Sequence, residues 1–385
     1  MLTQVHYAVR KTKYLLAALL TAPLLSGCVH FRVDDCPGGV LGNNDAGSAR
    51  VRTANYRVML ADPPAAASRF LPYAIMSTYA YKIGDGCVDG GNKNRVSGER
   101  AATLREWLDS SNAGSSKWQL EPAVGMREAQ IPHRIGCEDD LGLMFHVWHR
   151  KVEGRDHVVI AFRGTSGAGD FWNANFWWFR RAFTDDTQFD RARGHARAVI
   201  QFFDQKAVRE GAPAPRYTTT GHSLGGSLAQ HILYAFPKQI EQAIVFDTSS
   251  VTGFSDSSIS RENRISGCSC RPELGPEARI IRVYQTYEIL ANLRIFHKIF
   301  FPPERHVQEV RFPFDSSWNP VTRHSIGEFT ESLQAAARRR RSDEIGHTWL
   351  ASADPTCTRL LLEKQSASCA LQVSPSSLQL CPSVQ

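Results

Sequence analysis

Short apolar segments and amphipathic segments follow one another along the middle of the chain. The segments that predict strands are 142–148, 157–162, 216–220, 243–246, 279–284 and 308–312. Apolar residues at helical spacing predict helices over 63–81, 103–108, 189–210, 227–236 and 325–339. Strands that alternate with helices are typical of an α/β fold, so we expect a central, mostly parallel sheet flanked by helices.

The first 27 residues have the pattern of an export signal. A basic segment, 10–13, precedes an apolar stretch at 14–25, which is too short for a hydrocarbon core that needs about 20 residues. The stretch ends in Leu-Ser-Gly-Cys at 25–28, which resembles the lipobox of bacterial lipoproteins. This resemblance implies a lipid anchor on Cys28 and a place in the bacterial cell envelope. The alternative is an ordinary signal peptide in which this cysteine occurs by chance.

Residue 29 bears on which membrane the lipid anchor would enter. In bacterial lipoproteins an Asp after the acylated cysteine holds the protein at the inner membrane, and here the residue is Val29. By resemblance to these sorting rules, we expect the outer membrane.

Composition divides the remainder of the chain into three parts. Residues 28–60 are rich in Gly, Asn, Asp and Arg and predict a tether. Residues 61–341 carry the predicted strands and helices and form the expected main domain. Residues 342–385 contain three cysteines with much Ser and Pro, which predicts a disulfide-tied C-terminal appendage of unassigned purpose.

Besides Cys28 the chain has eight cysteines, and an even number in an exported chain predicts disulfides. They are Cys36, Cys87, Cys137, Cys268, Cys270, Cys357, Cys369 and Cys381. Cys268 and Cys270 are too close together for a zinc knuckle, and no cluster of histidines is visible along the chain. The sequence therefore predicts no metal site.

Composition and charge exclude several function classes. With 42% hydrophobic and 22% charged residues among 385, the chain can bury a large core and does not have the composition of a disordered protein. The net charge of +7 is too small and too scattered to indicate nucleic-acid binding, and part of it belongs to the export signal. Because phosphate-binding and dinucleotide-binding glycine motifs are missing from the sequence, we expect no cofactor, and nothing indicates a protein partner.

The pentapeptide Gly-His-Ser-Leu-Gly at 221–225 fits the pattern G-x-S-x-G. A β-prone strand precedes it and a predicted helix follows, which is the context in which a serine is exposed on a tight strand-to-helix turn. We therefore interpret Ser223 as a nucleophile, with the next backbone N–H directed at a developing oxyanion. The alternative is a glycine-rich turn without chemistry.

Residues 141–329 resemble the class 3 lipases, the fungal triacylglycerol lipase type of α/β-hydrolase. Three segments carry the resemblance. They are Val-Val-Ile-Ala-Phe-Arg-Gly-Thr at 158–165 with Asp-Phe-Trp at 170–172, Thr-Gly-His-Ser-Leu-Gly-Gly-Ser-Leu-Ala at 220–229, and His-Ser-Ile at 324–326. The resemblance implies an α/β-hydrolase fold and an active site with a serine, an acid and a histidine in that order along the chain.

The resemblance also implies roles for particular residues. Thr165 and Leu224 would supply the two oxyanion donors through their backbone N–H groups. The base would be His324, which opens a late helix, as the family's histidine does. Three other late histidines are eligible by chain order, namely His297, His306 and His347.

The triad acid is expected just past a strand that follows the nucleophile. Glu288, after the predicted strand 279–284, has this position, although the family usually has Asp. Asp247 and Asp315 are the alternatives, and a surface ion pair is possible for all three. We take Glu288 as the acid, whose task is to orient the imidazole and stabilise its charged form.

The densest aromatic run of the chain follows the segment that would hold Thr165. It includes Trp172, Phe176, Trp177 and Trp178 and ends in two arginines. Class 3 lipases place a lid helix in this region, so the resemblance implies an apolar lid or acyl-chain wall. The alternative is ordinary core packing, although Trp177 and Trp178 cannot both point inward from one helix face.

From these features we expect serine-dependent hydrolysis of carboxylic (lipid) esters through an acyl-enzyme. A lipid anchor would hold the enzyme at a membrane rich in such esters. Two alternatives stay open. One is a phospholipase, thioesterase or peptidase on the same fold, and the other is a catalytically silent envelope lipoprotein that keeps the scaffold.

Overall fold

The computed structural model describes residues 49–52, 58–61, 63–84, 87, 96–111, 116–121, 135–164, 188–249, 252–254, 256–269, 278–286, 288, 290, 306–314 and 322–339. Within these residues the polypeptide forms a single nine-stranded sheet with helices on both faces. An α/β fold, as the hydrophobic pattern predicts, is confirmed.

The strands of the sheet lie in the order β2-β1-β9-β8-β7-β6-β5-β4-β3. In chain order they are β1 (Ala49–Arg52), β2 (Val58–Ala61), β3 (Gln119–Leu120), β4 (Phe145–Val152), β5 (Arg155–Phe162), β6 (Arg216–His222), β7 (Ile240–Phe246), β8 (Ile280–Gln285) and β9 (Val307–Phe312). The five strands β5 to β9 run parallel, whereas β4, β3, β1 and β2 pair antiparallel at the two edges. The prediction of a mainly parallel centre is therefore confirmed, with antiparallel strands at both margins.

Six α-helices are described around the sheet. They are α1 (Pro63–Tyr79), α2 (Gly98–Ser110), α3 (Gln188–Glu210), α4 (Leu224–Ala235), α5 (Arg261–Cys268) and α6 (Ile326–Arg339). A short 3₁₀ turn, Thr322–His324, immediately precedes α6. Among these helices none is long and apolar enough to cross a membrane.

Alternate residues of the central strands supply two separate cores. On β5, Val159 and Ala161 face the core that contains α1, α2 and α6, while Val158 and Ile160 face the core that contains α3 and α4. This alternation explains why the central strands are apolar throughout, because a strand covered on both faces has no solvent side.

Buried hydroxyl groups fasten α1 to its neighbours. Thr78 Oγ1 lies 2.7 Å from Thr330 Oγ1 of α6, and Ser77 Oγ lies 3.0 Å from Thr220 Oγ1 of β6. Both pairs are buried, so each bond forms in a medium of low dielectric where it holds its partners firmly. Helix α1 thereby links the strand that ends at Ser223 to the helix that follows His324.

The sheet includes two strands from a segment that the sequence does not assign to the fold. Strand β1 and the first three residues of β2 fall within 28–60, the segment interpreted as a tether, and β1 pairs with β9 through Val51 and Val310. Two strands of four residues give too short a pattern to stand out in sequence, and the pairing of β1 with β9 is long-range. The predicted export signal, Cys28 and the predicted appendage 342–385 lie outside the described residues.

Three of the cysteines predicted to form disulfides can be compared with the structure. Cys87 and Cys137 form a disulfide with their Cα atoms 5.3 Å apart. Cys268, at the end of α5, is also disulfide-bonded. The expectation of disulfide chemistry is supported at these positions.

Candidate active site

Ser223 occupies a strained turn between β6 and α4. Its φ of 55° and ψ of −121° lie in a region that residues with a side chain rarely adopt. The turn is held by the Ser223 backbone N–H, which donates to the Phe246 carbonyl at 3.0 Å. The Ser223 residue is partly exposed at the edge where the parallel strands end. Such strain, fixed by surrounding bonds, is a common property of functional turns.

Glycines let three backbone segments come together at this turn. A methyl group at Gly221 would overlap the carbonyl of Gly225. A methyl group at Gly225 would in turn collide with the backbone of Phe162 and Arg163 at the end of β5. The two glycines of the pentapeptide are therefore required by close backbone approach, as the sequence motif predicts.

Replacing Gly225 with alanine is expected to lower the free energy of unfolding by about 1–3 kcal/mol, because the new methyl group overlaps fixed backbone atoms rather than a mobile side chain. Urea unfolding measures this change. The matched control is Gly194→Ala on α3, where nothing lies within 4 Å, and there we expect a gain of about 0.5–1 kcal/mol. Equal effects of the two substitutions would contradict the close packing at Gly225.

Polar side chains also connect α4, the helix that follows the Ser223 turn, to neighbouring strands. Gln230 Nε2 donates to Thr248 Oγ1 at 3.0 Å, and Arg282 Nε donates to Gln230 Oε1 at 2.9 Å. Thr248 follows β7 and Arg282 lies on β8, so this chain of hydrogen bonds joins α4 to the next two strands. It fixes the direction in which α4 leaves Ser223.

His324 and Glu288 form a hydrogen-bonded pair near Ser223. The Glu288 Oε2 atom lies 3.0 Å from His324 Nδ1 and also accepts the Leu290 backbone N–H at 2.8 Å. The Glu288 residue is fully buried, and only 10% of the His324 side chain is exposed. A buried carboxylate at Nδ1 fixes the orientation of the imidazole ring and favours the tautomer with its proton on Nδ1.

The backbone around His324 is tied to the loop that carries Glu288. Arg323 donates from Nη1 to the Thr286 carbonyl at 3.0 Å, and Thr286 in turn bonds Phe312 at the end of β9. The pair His324 and Glu288 is therefore held between β8, β9 and the start of α6 rather than on a free loop.

The ring of His324 packs on His222, the residue before Ser223. The two ring centroids lie 4.6 Å apart with the ring planes tilted by 45°. The structure thus brings the predicted base to the predicted nucleophile's turn, from positions about a hundred residues apart in the chain.

Asp247, the alternative acid, also lies close to this pair of rings. It is fully buried at the end of β7 with a φ of 38°, and its Oδ1 accepts the Gln285 backbone N–H at 3.0 Å. One of its carboxylate oxygens lies within 4.8 Å of a ring nitrogen of both His222 and His324. Glu288 Oε2 lies at hydrogen-bonding distance from His324, 3.0 Å from Nδ1.

Tyr81 joins the end of β5 to the turn at Ser223. Its hydroxyl lies 3.1 Å from His222 Nδ1 and accepts the Gly164 backbone N–H. Burial raises the pKa of this phenol above its ordinary value, so the hydroxyl stays protonated. A methyl group on Gly164 would lie 2.7 Å from the Tyr81 hydroxyl and 3.3 Å from Ser223 Cβ. The segment that leads to Thr165 therefore passes directly beside Ser223.

Neither a scan of protein-family models nor a search of curated proteins finds a match to this chain. Its function is therefore inferred from the side chains and the geometry that the structure describes.

The structure tests the remaining site predictions only in part. Leu224 begins α4 directly after Ser223, as the motif predicts. Several predicted residues lie outside the described residues, namely Cys28, Thr165, Trp172, Phe176, Trp177, Trp178, His297, Asp315 and His347. His306 precedes β9, at the opposite end of the strands from Ser223, and lies 3.0 Å from Tyr234. Burial lowers its pKa to about 3, which leaves it neutral.

Sequence reasoning missed two residues that contribute to the site. Tyr81 gives no signal beyond the end of a predicted helix, and its contact with His222 spans 141 residues. His222 belongs to the pentapeptide, but nothing in the motif indicates that its ring meets His324.

Proposed function

We propose that this protein is a serine hydrolase that cleaves carboxylic esters, with Ser223 as nucleophile, His324 as general base and Glu288 as the acid. One observation carries the proposal: a buried Glu288–His324 pair packs against the strained turn that exposes Ser223. A serine becomes a nucleophile when a neighbouring base accepts its proton and a third group orients that base.

The reaction would proceed through an acyl-enzyme. Ser223 Oγ attacks the ester carbonyl carbon while His324 Nε2 takes the hydroxyl proton, and the carbonyl oxygen becomes an oxyanion. When the intermediate collapses, the bond to the alcohol breaks and His324 returns the proton to the leaving oxygen. Water then attacks the acyl-enzyme with the same base and releases the acid.

Backbone N–H groups would stabilise the oxyanion. Leu224 is the first residue of α4, where N–H groups have no partner in the helix and the helix dipole favours negative charge. The second donor is assigned to Thr165, which directly follows Gly164 beside Ser223. Loss of one such donor typically lowers the rate by about 10²–10³-fold.

The order of these groups on the sheet supports an α/β-hydrolase assignment. The nucleophile follows β6, the acid follows β8 and the base follows β9, all at the edge where the parallel strands end. This order of Ser, acid and His agrees with the expected one. We therefore propose an α/β-hydrolase fold of the class 3 lipase type.

Lipid esters are the substrate class we propose. The support is the sequence resemblance, the aromatic run that follows Thr165 and the lipobox at Cys28. A lipid anchor would place the active site at a bacterial envelope membrane, where acyl esters are concentrated, and Val29 favours the outer membrane.

Labelling with a fluorophosphonate tests the proposal, because this reagent phosphonylates only an activated serine. We expect the wild-type chain to label with one equivalent and Ser223→Ala not to label. The matched control is Ser227→Ala, one turn further along α4, where the hydroxyl is fully buried and makes no hydrogen bond to the described residues. A folded wild-type chain that does not label would favour the silent scaffold.

A further inference from the structure

Three side chains that commonly bind metal ions meet beside the Ser223 turn. They are His222 at the end of β6, Asp247 at the end of β7 and His324 before α6. One potential ligand atom from each lies within 4.8 Å of the other two. We propose that these three residues form a binding site for a zinc ion.

The ligand set and its spacing are those of a zinc site. Zinc takes imidazole nitrogens and carboxylate oxygens at about 2.0–2.2 Å in a tetrahedral arrangement, which separates the ligand atoms by about 3.4 Å. The three ligand atoms need to approach one another by at most about 1.4 Å from their present spacing. Shared between two side chains, this approach is about 0.7 Å for each, which the Nδ1 hydrogen bonds can accompany.

Both histidines are already oriented for this role. His324 Nδ1 is held by Glu288 at 3.0 Å and His222 Nδ1 by the Tyr81 hydroxyl at 3.1 Å, so each ring would bind zinc through Nε2. Metal-binding histidines in proteins usually have such a partner on the second nitrogen, which fixes the ring and raises its basicity. The structure therefore contains hydrogen-bond partners for both histidines as well as the three candidate ligands.

The charges at the site favour a cation. Asp247 and Glu288 are both fully buried, so two carboxylates lie next to the point where the three ligand atoms meet. In a buried site of low dielectric, both carboxylates attract a divalent cation. Three protein ligands would leave a fourth position for water or another small ligand.

Zinc binding would oppose the proposed reaction. His324 Nε2 cannot both bind zinc and accept the Ser223 proton, so occupancy would inhibit ester hydrolysis reversibly. This consequence rests on the proposed function, whereas the binding of zinc does not. The sequence alone predicts no metal site, because the three ligands are distant in the chain.

A second histidine with acidic neighbours provides the comparison site. His149 Nε2 lies 3.2 Å from Glu121, and its Nδ1 lies 3.9 Å from Asp156. These carboxylates face opposite nitrogens of one ring, so they do not converge on one point. His149→Gln is therefore the matched control for substitutions at the proposed site.

Isothermal titration of the full chain in detergent with zinc chloride tests the proposal. We expect one zinc ion per chain, with the affinity lowered at least about tenfold in Asp247→Asn and in His222→Gln and unchanged in His149→Gln. Circular dichroism establishes that each variant is folded. Two ligand variants are used so that the test still stands if one of them does not fold. Zinc is also expected to slow fluorophosphonate labelling of the wild type and to have less effect on Asp247→Asn.

Two results would overturn the zinc site: no heat of binding to the wild type at 100-fold molar excess, or equal affinity in wild type and both ligand variants. Loss of binding in His149→Gln alone would overturn it as well. Zinc binding by a chain that fails to label without zinc would support the site and contradict the proposed hydrolase function, so the two failures are distinguishable.

Discussion

Substitution of Ser223 by alanine is expected to lower kcat for ester hydrolysis by about 10⁵–10⁶-fold. The acyl-enzyme cannot form without the hydroxyl, and only oxyanion stabilisation and substrate binding remain. Initial rates on a p-nitrophenyl ester series measure the effect. Alanine at this φ of 55° keeps a Cβ where serine already has one, so the turn itself gains no new clash.

The control for this prediction comes from the same helix. Ser227→Ala removes a buried hydroxyl without a hydrogen bond to the described residues, and we expect kcat to change by less than about threefold. Comparable activity in Ser223→Ala and wild type would mean that turnover does not use this serine. The nucleophile would then have to be sought elsewhere, and the silent-scaffold interpretation would apply to the Ser223 turn.

Much of the fold could be predicted from local pattern, because the central elements are strongly periodic. The helix expected over 189–210 is Gln188–Glu210, and the strand expected over 216–220 is Arg216–His222. The strand extends into the pentapeptide because Gly221 and His222 pair with β7, and Gly221 also pairs with β5. Such extensions depend on neighbouring strands and are not encoded in a short window.

The local sequence pattern does not predict the long-range contacts of the fold and the site. Helix α5 and strands β1 and β2 are not predicted because each is short, with eight, four and four residues respectively. At the site, chain order alone left Glu288, Asp247 and Asp315 as acids. The hydrogen bond from His324 to Glu288 depends on how β8 and β9 lie side by side, which the sequence does not state.

Substitution of Glu288 by glutamine is expected to lower kcat by about 10³–10⁴-fold. The neutral amide no longer stabilises the imidazolium that forms when His324 accepts the Ser223 proton, and its NH₂ group can select the wrong ring tautomer. The amide oxygen of glutamine can still accept the Leu290 backbone N–H, so we expect the variant to fold. Stopped-flow acylation rates isolate the affected step from product release.

The Asp247→Asn substitution tests whether Glu288 or Asp247 is the acid that acts on His324. Asparagine keeps an oxygen to accept the Gln285 backbone N–H, so we expect a smaller loss in the acylation rate, about tenfold or less, from the removed charge alone. The reverse ranking, with Asp247→Asn more damaging than Glu288→Gln in folded proteins, would assign the acid to Asp247. In that case the bond at 3.0 Å between Glu288 and His324 would hold the resting ring, and Asp247 would act after the ring rotates.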